Sequence, residues 1–272
     1  MLLTILLISL NKIVGQIVPN NEVYNTDSIR EAYANAPNLQ LYKDNYIILG
    51  TSLGEKPAEE NTDFKFQLSL AYRMFNKPMF WDTYLYFFYS QKVFMNVIQD
   101  SYPMTDFSMN PGVGLVKPLY KDNRFIGEMK LMVEHESNGL DSLDSRSWNK
   151  LSLVGNFIIE PRFAVHGKVW FPFVDGRRNR DLLDYTGLFQ VGCTAKTTNQ
   201  KWGLSTLFTK RRGWDFNWNS VVELSYRISK KRNFHVLMQY YNGYAERMID
   251  YNCFHSQIRV GFAMKPNIFS DF

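Results

Sequence analysis

The sequence predicts an all-β chain, folded as an antiparallel barrel that spans a membrane. Three observations carry this. Apolar and polar residues alternate with period two over strand-length runs. Turn signals separate those runs, with no helical period between them. Aromatics make up 16% of the 272 residues, and the mean hydropathy is -0.29. No stretch reaches the roughly 18 consecutive apolar residues that a spanning helix needs. A closed barrel is the remaining route across a bilayer, and its alternation hides its apolar face from any average.

The runs follow in order. Phe64, Phe66, Leu68, Leu70 and Tyr72 alternate with Lys65, Gln67, Ser69, Ala71 and Arg73. Phe125, Gly127, Met129, Leu131 and Val133 alternate with Glu128, Lys130 and Glu134. Phe163, Val165, Val169, Phe171 and Phe173 alternate with Arg162, His166 and Lys168. Val222, Leu224, Tyr226 and Ile228 alternate with Glu223, Ser225 and Arg227, and a last run spans Gln257 to Met264. Turn-like stretches such as Asn76-Lys77-Pro78 and Lys121-Asp122-Asn123 make consecutive strands hairpins. On a soluble sandwich the polar face would rarely carry charges so regularly beside such large apolar partners. On a barrel the apolar face meets lipid and the charged face lines the interior. Trp81, Tyr84, Trp148, Trp170, Trp202, Trp214 and Trp218 are expected in aromatic girdles at the two interfaces.

Residues 1–15 resemble the apolar core of a signal peptide, without its usual positive start. Residues 16–62 are polar and weakly periodic, an expected lead-in with a short helix near Ser28 to Ala34. The barrel is expected over 63–272, ending on the aromatic Phe272. The formal charge of +5 is spread over turn-like stretches, which argues against nucleic acid as a partner. Cys193 and Cys253 could pair or remain as two small apolar residues.

The chemistry concentrates in Glu134-His135-Glu136-Ser137-Asn138-Gly139 and Ser145-Arg146-Ser147-Trp148-Asn149. His135 and Ser137 are two apart, so on a strand they share a side. Parity puts that side with Leu131 and Val133, facing lipid. Asn149 shares it on the next strand, with Leu151 and Leu153. A serine hydroxyl is a weak nucleophile and needs an adjacent base. Histidine can take its proton, and a third group must hold the imidazole. Asparagine does so without setting a charge beside lipid. A His-x-Ser pair alone occurs by chance; the shared parity of Asn149 and the nearby Gly139 set this one apart. A lipid ester is the natural substrate for such a wall.

These two stretches resemble the active-site signature of bacterial outer membrane phospholipase A. Lys65 to Ala71 resembles an early strand of that family, and Tyr89-Ser90-Gln91-Lys92 its next. Tyr244-Ala245-Glu246, Ile249 to Asn252 and Arg259-Val260-Gly261 resemble its closing strands. The resemblance implies about twelve strands, hydrolysis of phospholipid and lysophospholipid acyl esters, Ca2+ dependence, and a homodimer as the active state. It implies Ser137 as nucleophile, His135 as base, Asn149 as orienting group and Gly139 as oxyanion donor. Calcium is then expected on the Ser145 side chain and the Leu140 carbonyl, completed by the carbonyl of Ser101 of the partner subunit. Gln91 matches a polar position at the dimer interface, although its parity also allows a lumen-facing side chain. Relatives carry a basic residue where this chain has Leu140, which a backbone carbonyl tolerates. They carry a calcium-binding aspartate where this chain has the mostly basic Arg177 to Asp181.

Two other barrels compete. A lipid A deacylase also uses a His-x-Ser pair, but with a carboxylate as third member. An inert pore would use Glu128, Lys130, Arg162, Lys168 and Glu223 to line a channel, where a closed interior would cross-link them. His166 is expected to face inward as a structural hydrogen-bonder, His235 to share the polar side of its strand, and His255 to lie in a turn or at a strand entry.

Overall fold

The computed structural model describes residue 31 and residues 35–122, 124–174, 179–229, 233–266 and 269–270. The expected signal peptide lies outside the described residues, as does the helix near Ser28 to Ala34 apart from Glu31.

The strands are β1 (Leu39–Leu41), β2 (Asn45–Ser52), β3 (Thr62–Arg73), β4 (Tyr84–Asn96), β5 (Met104–Lys121), β6 (Arg124–Ser137) and β7 (Ser147–Glu160). They continue as β8 (Phe163–Val174), β9 (Phe189–Lys196), β10 (Trp202–Lys210), β11 (Trp218–Ser229), β12 (Phe234–Gly243) and β13 (His255–Met264). Each pairs antiparallel with its neighbour, and β13 returns to pair with β2, closing a ring of twelve strands. β1 and β2 are two halves of one stave, both paired with β3. Among the described residues no helix is long and apolar enough to cross a membrane.

The alternation read from sequence is the inside and outside of this wall. Val133, Phe171, Phe173, Val260 and Phe262 are more than half exposed on the outer face. Lys65, Glu134, Lys168, Glu223 and Arg259 are buried in the lumen. Apolar outside and charged inside is stable only against lipid.

The lumen is closed by packing and ion pairs. Tyr84, Tyr86, Phe88, Phe125 and Met132 fill one end, joined by Tyr42 from the β1–β2 break. Trp148, Leu182, Met248 and Tyr251 fill the other. Between them Arg259 donates to Asp63 at 2.6 and 2.8 Å and to Glu246 at 2.7 Å, and Lys65 joins Glu246 at 3.0 Å. Burial alone would raise the pKa of Glu246, which lies in the β12–β13 loop. Arg259 and Lys65 outweigh burial and hold its carboxyl well below the usual range. Lys168 pairs with Glu134 at 2.8 Å and Lys130 with Glu128 at 3.0 Å. These pairs cross-link the inward charges, as a closed interior requires. Arg259 is 0% exposed, and Arg259→Met leaves buried Asp63 with Arg247 and buried Glu246 with Lys65 as their remaining cations. It is expected to cost about 3–5 kcal/mol of barrel stability. Urea unfolding in detergent micelles checks this, and an unchanged midpoint would remove the network from the account.

The structure corrects several expectations. The barrel begins at Leu39, inside the expected lead-in of 16–62, and not at residue 63. β2 escaped detection because both its faces are apolar. Its inward Tyr46 and Ile48 pack on Leu237 and Ala263 instead of meeting charge. Phe125 faces the lumen. Leu119 pairs with Gly127 and Tyr120 with Phe125, so Ile126 is an extra residue and parity flips there. Gly127 has φ +153°, and a Cβ would lie 2.0 Å from the Asn156 carbonyl oxygen. Tyr84, Trp148 and Trp170 point inward rather than into girdles. The indole of Trp148 donates to Glu136 at 3.2 Å and that of Trp170 to the Gly187 carbonyl at 2.9 Å. Trp81, Trp202 and Trp214 are exposed. Arg162 sits in the β7–β8 turn, exposed at the barrel end, and bonds Thr198 at 2.7 Å. Residues 244–252 form a loop folded into the mouth rather than closing strands. His166 and His235 do face inward, and His166 bonds Asn156 at 2.6 Å and Gln190 at 2.8 Å. Cys193 and Cys253 are both free.

Candidate active site on the outer wall

The connections after β2, β4, β6, β8, β10 and β12 all lie at one end of the barrel, the end with most of the long loops. The site lies at that end, on the outer face of β6 and β7. His135 is paired directly with Asn149, and Ser137 with Ser147. No register shift interrupts the pairing of residues 127–137 of β6 with residues 147–157 of β7, so parity holds over that stretch. His135, Ser137 and Asn149 therefore share the wall with the exposed Leu131, Val133, Leu151 and Leu153. His135 Nδ1 lies 2.9 Å from Asn149 Oδ1. The carboxamide oxygen can only accept, so Nδ1 carries the proton and Nε2 is left as a base.

Alternate residues on the same strands anchor the site from within. Glu136 lies between His135 and Ser137 and points inward, where it accepts from Trp148, Lys150 and Ser108, each at 3.2 Å. Asn110 of β5 donates to the His135 carbonyl at 2.9 Å. The wall under the imidazole is therefore pinned across three strands.

The β6–β7 loop is shaped by Asn138, which is 3% exposed. Its Nδ2 donates to the Asp144 carbonyl at 2.8 Å, and its Oδ1 accepts from Arg146 N at 2.9 Å and Leu140 N at 3.3 Å. One side chain thus ties both ends of the loop together. Gly139 follows with φ +68°, a left-handed conformation that costs glycine little. Its N–H has no partner among the described residues. Arg146 donates to the Leu143 carbonyl at 2.7 Å and the Ser145 carbonyl at 3.1 Å, with its guanidinium 5.6 Å from the centre of the Tyr251 ring. The Tyr251 hydroxyl donates to Asp181 at 2.6 Å. Burial, with this bond, pushes the phenol up to about 12. The two inner loops thereby brace the site loop from the barrel mouth. Sequence reasoning missed Asn138 and this brace. The signal for Asn138 was a short side chain where a strand turns into a loop, a position suited to local backbone capping. Tyr251 lies too far along the chain for any spacing to reveal it.

Leu140 and Ser145, the expected cation ligands, both belong to this loop. The Leu140 carbonyl and the Ser145 hydroxyl have no partner among the described residues, whereas the Leu140 N–H is already bonded to Asn138. An oxygen-only donor pair with free lone pairs fits a hard cation. No group of three His, Cys, Asp or Glu side chains suited to a metal occurs among the described residues. Asp141 accepts from Ser142 N at 2.6 Å, and Asp181 is held by Tyr251. Residues 175–178 lie outside the described residues. Ser101 is exposed on the β4–β5 loop at the same end, with φ +68°. Gln91 faces outward. Its backbone pairs with Leu68 and Met109, Met109 pairs in turn with Ser137, and Tyr89 donates to its Oε1 at 2.9 Å.

Hydrogen-bonding groups of this kind gain nothing by facing lipid unless lipid is what they act on, and the class so defined is the membrane-embedded ester hydrolase. Comparison with known proteins makes that particular: the model of the phospholipase A1 family matches residues 23–264, and the chain belongs to that family. It is 29% identical over 221 residues to a phospholipase A1 of Salmonella typhimurium, covering 75% of this chain and 70% of the relative. Its fold matches the outer membrane phospholipase A of Escherichia coli with a TM-score of 0.72, at 23% identity over 84% of this chain and 91% of that one. It also matches a Salmonella typhi outer membrane phospholipase dimer with bound calcium, with a TM-score of 0.75 at 23% identity, over 87% and 96% of the two chains. The chain is thus a bacterial outer-membrane β-barrel and a carboxylic ester hydrolase. Family membership and the cross-linked lumen set aside the lipid A deacylase and the inert pore.

Proposed function

We propose that the chain hydrolyses the acyl esters of membrane phospholipids and lysophospholipids through Ser137, His135 and Asn149. The observation that carries this is the 2.9 Å bond from His135 to Asn149 on the lipid-facing wall, two residues from Ser137. Ser137 Oγ attacks the ester carbonyl carbon as its proton passes to His135 Nε2. Asn149 holds the ring so that Nε2 faces the serine, and its dipole stabilises the imidazolium. The Gly139 N–H donates to the tetrahedral oxyanion. His135 then protonates the departing alkoxide, and a water molecule, activated the same way, releases the fatty acid from Ser137. Acyl chains reach the wall from the bilayer itself, beside Leu131, Val133 and Leu151.

The Ser145 hydroxyl and the Leu140 carbonyl would hold calcium, which when bound would supply positive charge to stabilise the oxyanion. In a homodimer the carbonyl of Ser101 of the partner subunit completes the ligand set. Gln91 then lies at the interface, where its outward amide, on the same row as Ser137, needs a polar partner in lipid. The dimer with bound calcium among the solved relatives supports this reading.

Asn149→Ala tests the orienting role. The nucleophile and base remain, so the rate of fatty-acid release from phospholipid micelles is expected to fall by about 10- to 100-fold and not to zero. Asn149→Asp keeps an acceptor and should retain more activity. An unchanged rate in Asn149→Ala would end the assignment.

A further inference from the structure

The lumen holds a cavity of about 200 Å3 below the active-site wall. Lys43, Lys65, Lys92, Lys150 and Lys168 line it. Three of these have acidic partners: Lys65 with Glu246, Lys150 with Glu136 and Lys168 with Glu134. Lys43 and Lys92 form no ion pair among the described residues. The carboxylates that face the cavity are already committed. Glu136 accepts from Trp148, Lys150 and Ser108; Glu246 from Lys65 and Arg259; Glu223 from Gln239 and Lys265. Lys168, Lys150 and Lys92 repel Lys43, while Glu134 and Glu136 attract it.

Lys43 reaches this place through a built irregularity. Leu41 pairs with Leu70 and Tyr46 with Gln67, so five residue steps on one strand run against three on its neighbour. The two extra residues form a bulge at the β1–β2 break, held by Lys43 N on Ser69 Oγ at 3.2 Å. Simple alternation would send residue 43 towards lipid; the bulge turns it into the lumen. A bulge that re-aims one side chain is a designed feature of a sheet. An ammonium group held among other cations is disfavoured unless it gives up its proton or a counter-ion joins it.

We propose that this cavity is a binding site for a small oxoanion of the inorganic phosphate class, held between Lys43 and Lys92. The ammonium groups supply charge and rotatable donors, and the buried Ser90 hydroxyl lines the same space. The cavity lies inside the barrel, behind the wall that meets lipid, so its occupant is a free anion and not a lipid headgroup. The site acts on the stability of the barrel, and does not depend on the outer-wall chemistry.

The test is to refold the barrel into detergent micelles with increasing inorganic phosphate, ionic strength being held constant with sodium gluconate. The thermal midpoint of the wild type is expected to rise by several degrees and saturate. In Lys43→Met/Lys92→Met the midpoint should start higher without phosphate, because the repulsion is gone, and should not respond to it. A wild-type midpoint that does not move, or a rise that survives in the double variant, overturns the proposal. Should the double variant not fold, equilibrium dialysis of the wild type with radiolabelled phosphate decides. Retention of about one phosphate per chain supports the site, and no retention overturns it.

Discussion

Ser137→Ala is expected to reduce fatty-acid release by at least about 10,000-fold, because the acyl-enzyme cannot form and the base has nothing to activate. The barrel should be untouched. Ser137 is the last residue of β6, faces outward between Met109 and Ser147, and contributes nothing to the lumen pairs that hold the fold. Heat-dependent migration of the folded barrel on a gel should therefore match the wild type. A folded variant that keeps its activity would move the nucleophile elsewhere; a variant that fails to fold would make Ser137 structural.

Removing calcium is expected to have the second largest effect. A single well-placed oxyanion donor is worth about 100- to 1,000-fold in rate. A cation beside the Gly139 N–H should contribute on that scale, so a chelator should lower hydrolysis by about 100-fold or more. Ser145→Ala should shift the calcium concentration for half-maximal activity upward, while saturating calcium restores much of the rate. The loop itself should survive, because Asn138 and Arg146 hold it through backbone groups and not through the Ser145 hydroxyl. Equal activity in calcium and in chelator would remove the metal from the mechanism.

The shared outer face of His135, Ser137 and Asn149 was legible because their strands keep register. Between Gly127 and Ser137 on β6, and along β7 opposite them, no bulge intervenes, so counting by twos gave the correct face for His135, Ser137 and Asn149. Where a bulge intervenes, counting fails. Phe125 lies two residues from Gly127 in sequence yet faces the lumen, and Lys43 turns inward for the same reason. β2 was invisible because Tyr46 and Ile48 pack into an apolar patch of the lumen, and alternation needs a polar face to be seen. Trp148 and Trp170 read as girdle residues, but each indole N–H finds an acceptor inside the barrel. The brace from Tyr251 to Arg146 joins residues that only the closed ring brings together. Gln91 was ambiguous until its pairing with Leu68 and Met109 fixed it outward.

The most direct test is to treat the calcium-loaded protein in micelles with a long-chain alkyl phosphonate ester and locate the adduct by peptide mass spectrometry. The account predicts covalent modification at Ser137 alone, in step with loss of fatty-acid release, and much slower labelling in Asn149→Ala. An adduct on another residue, or complete labelling of Ser137 with hydrolysis undiminished, would contradict it.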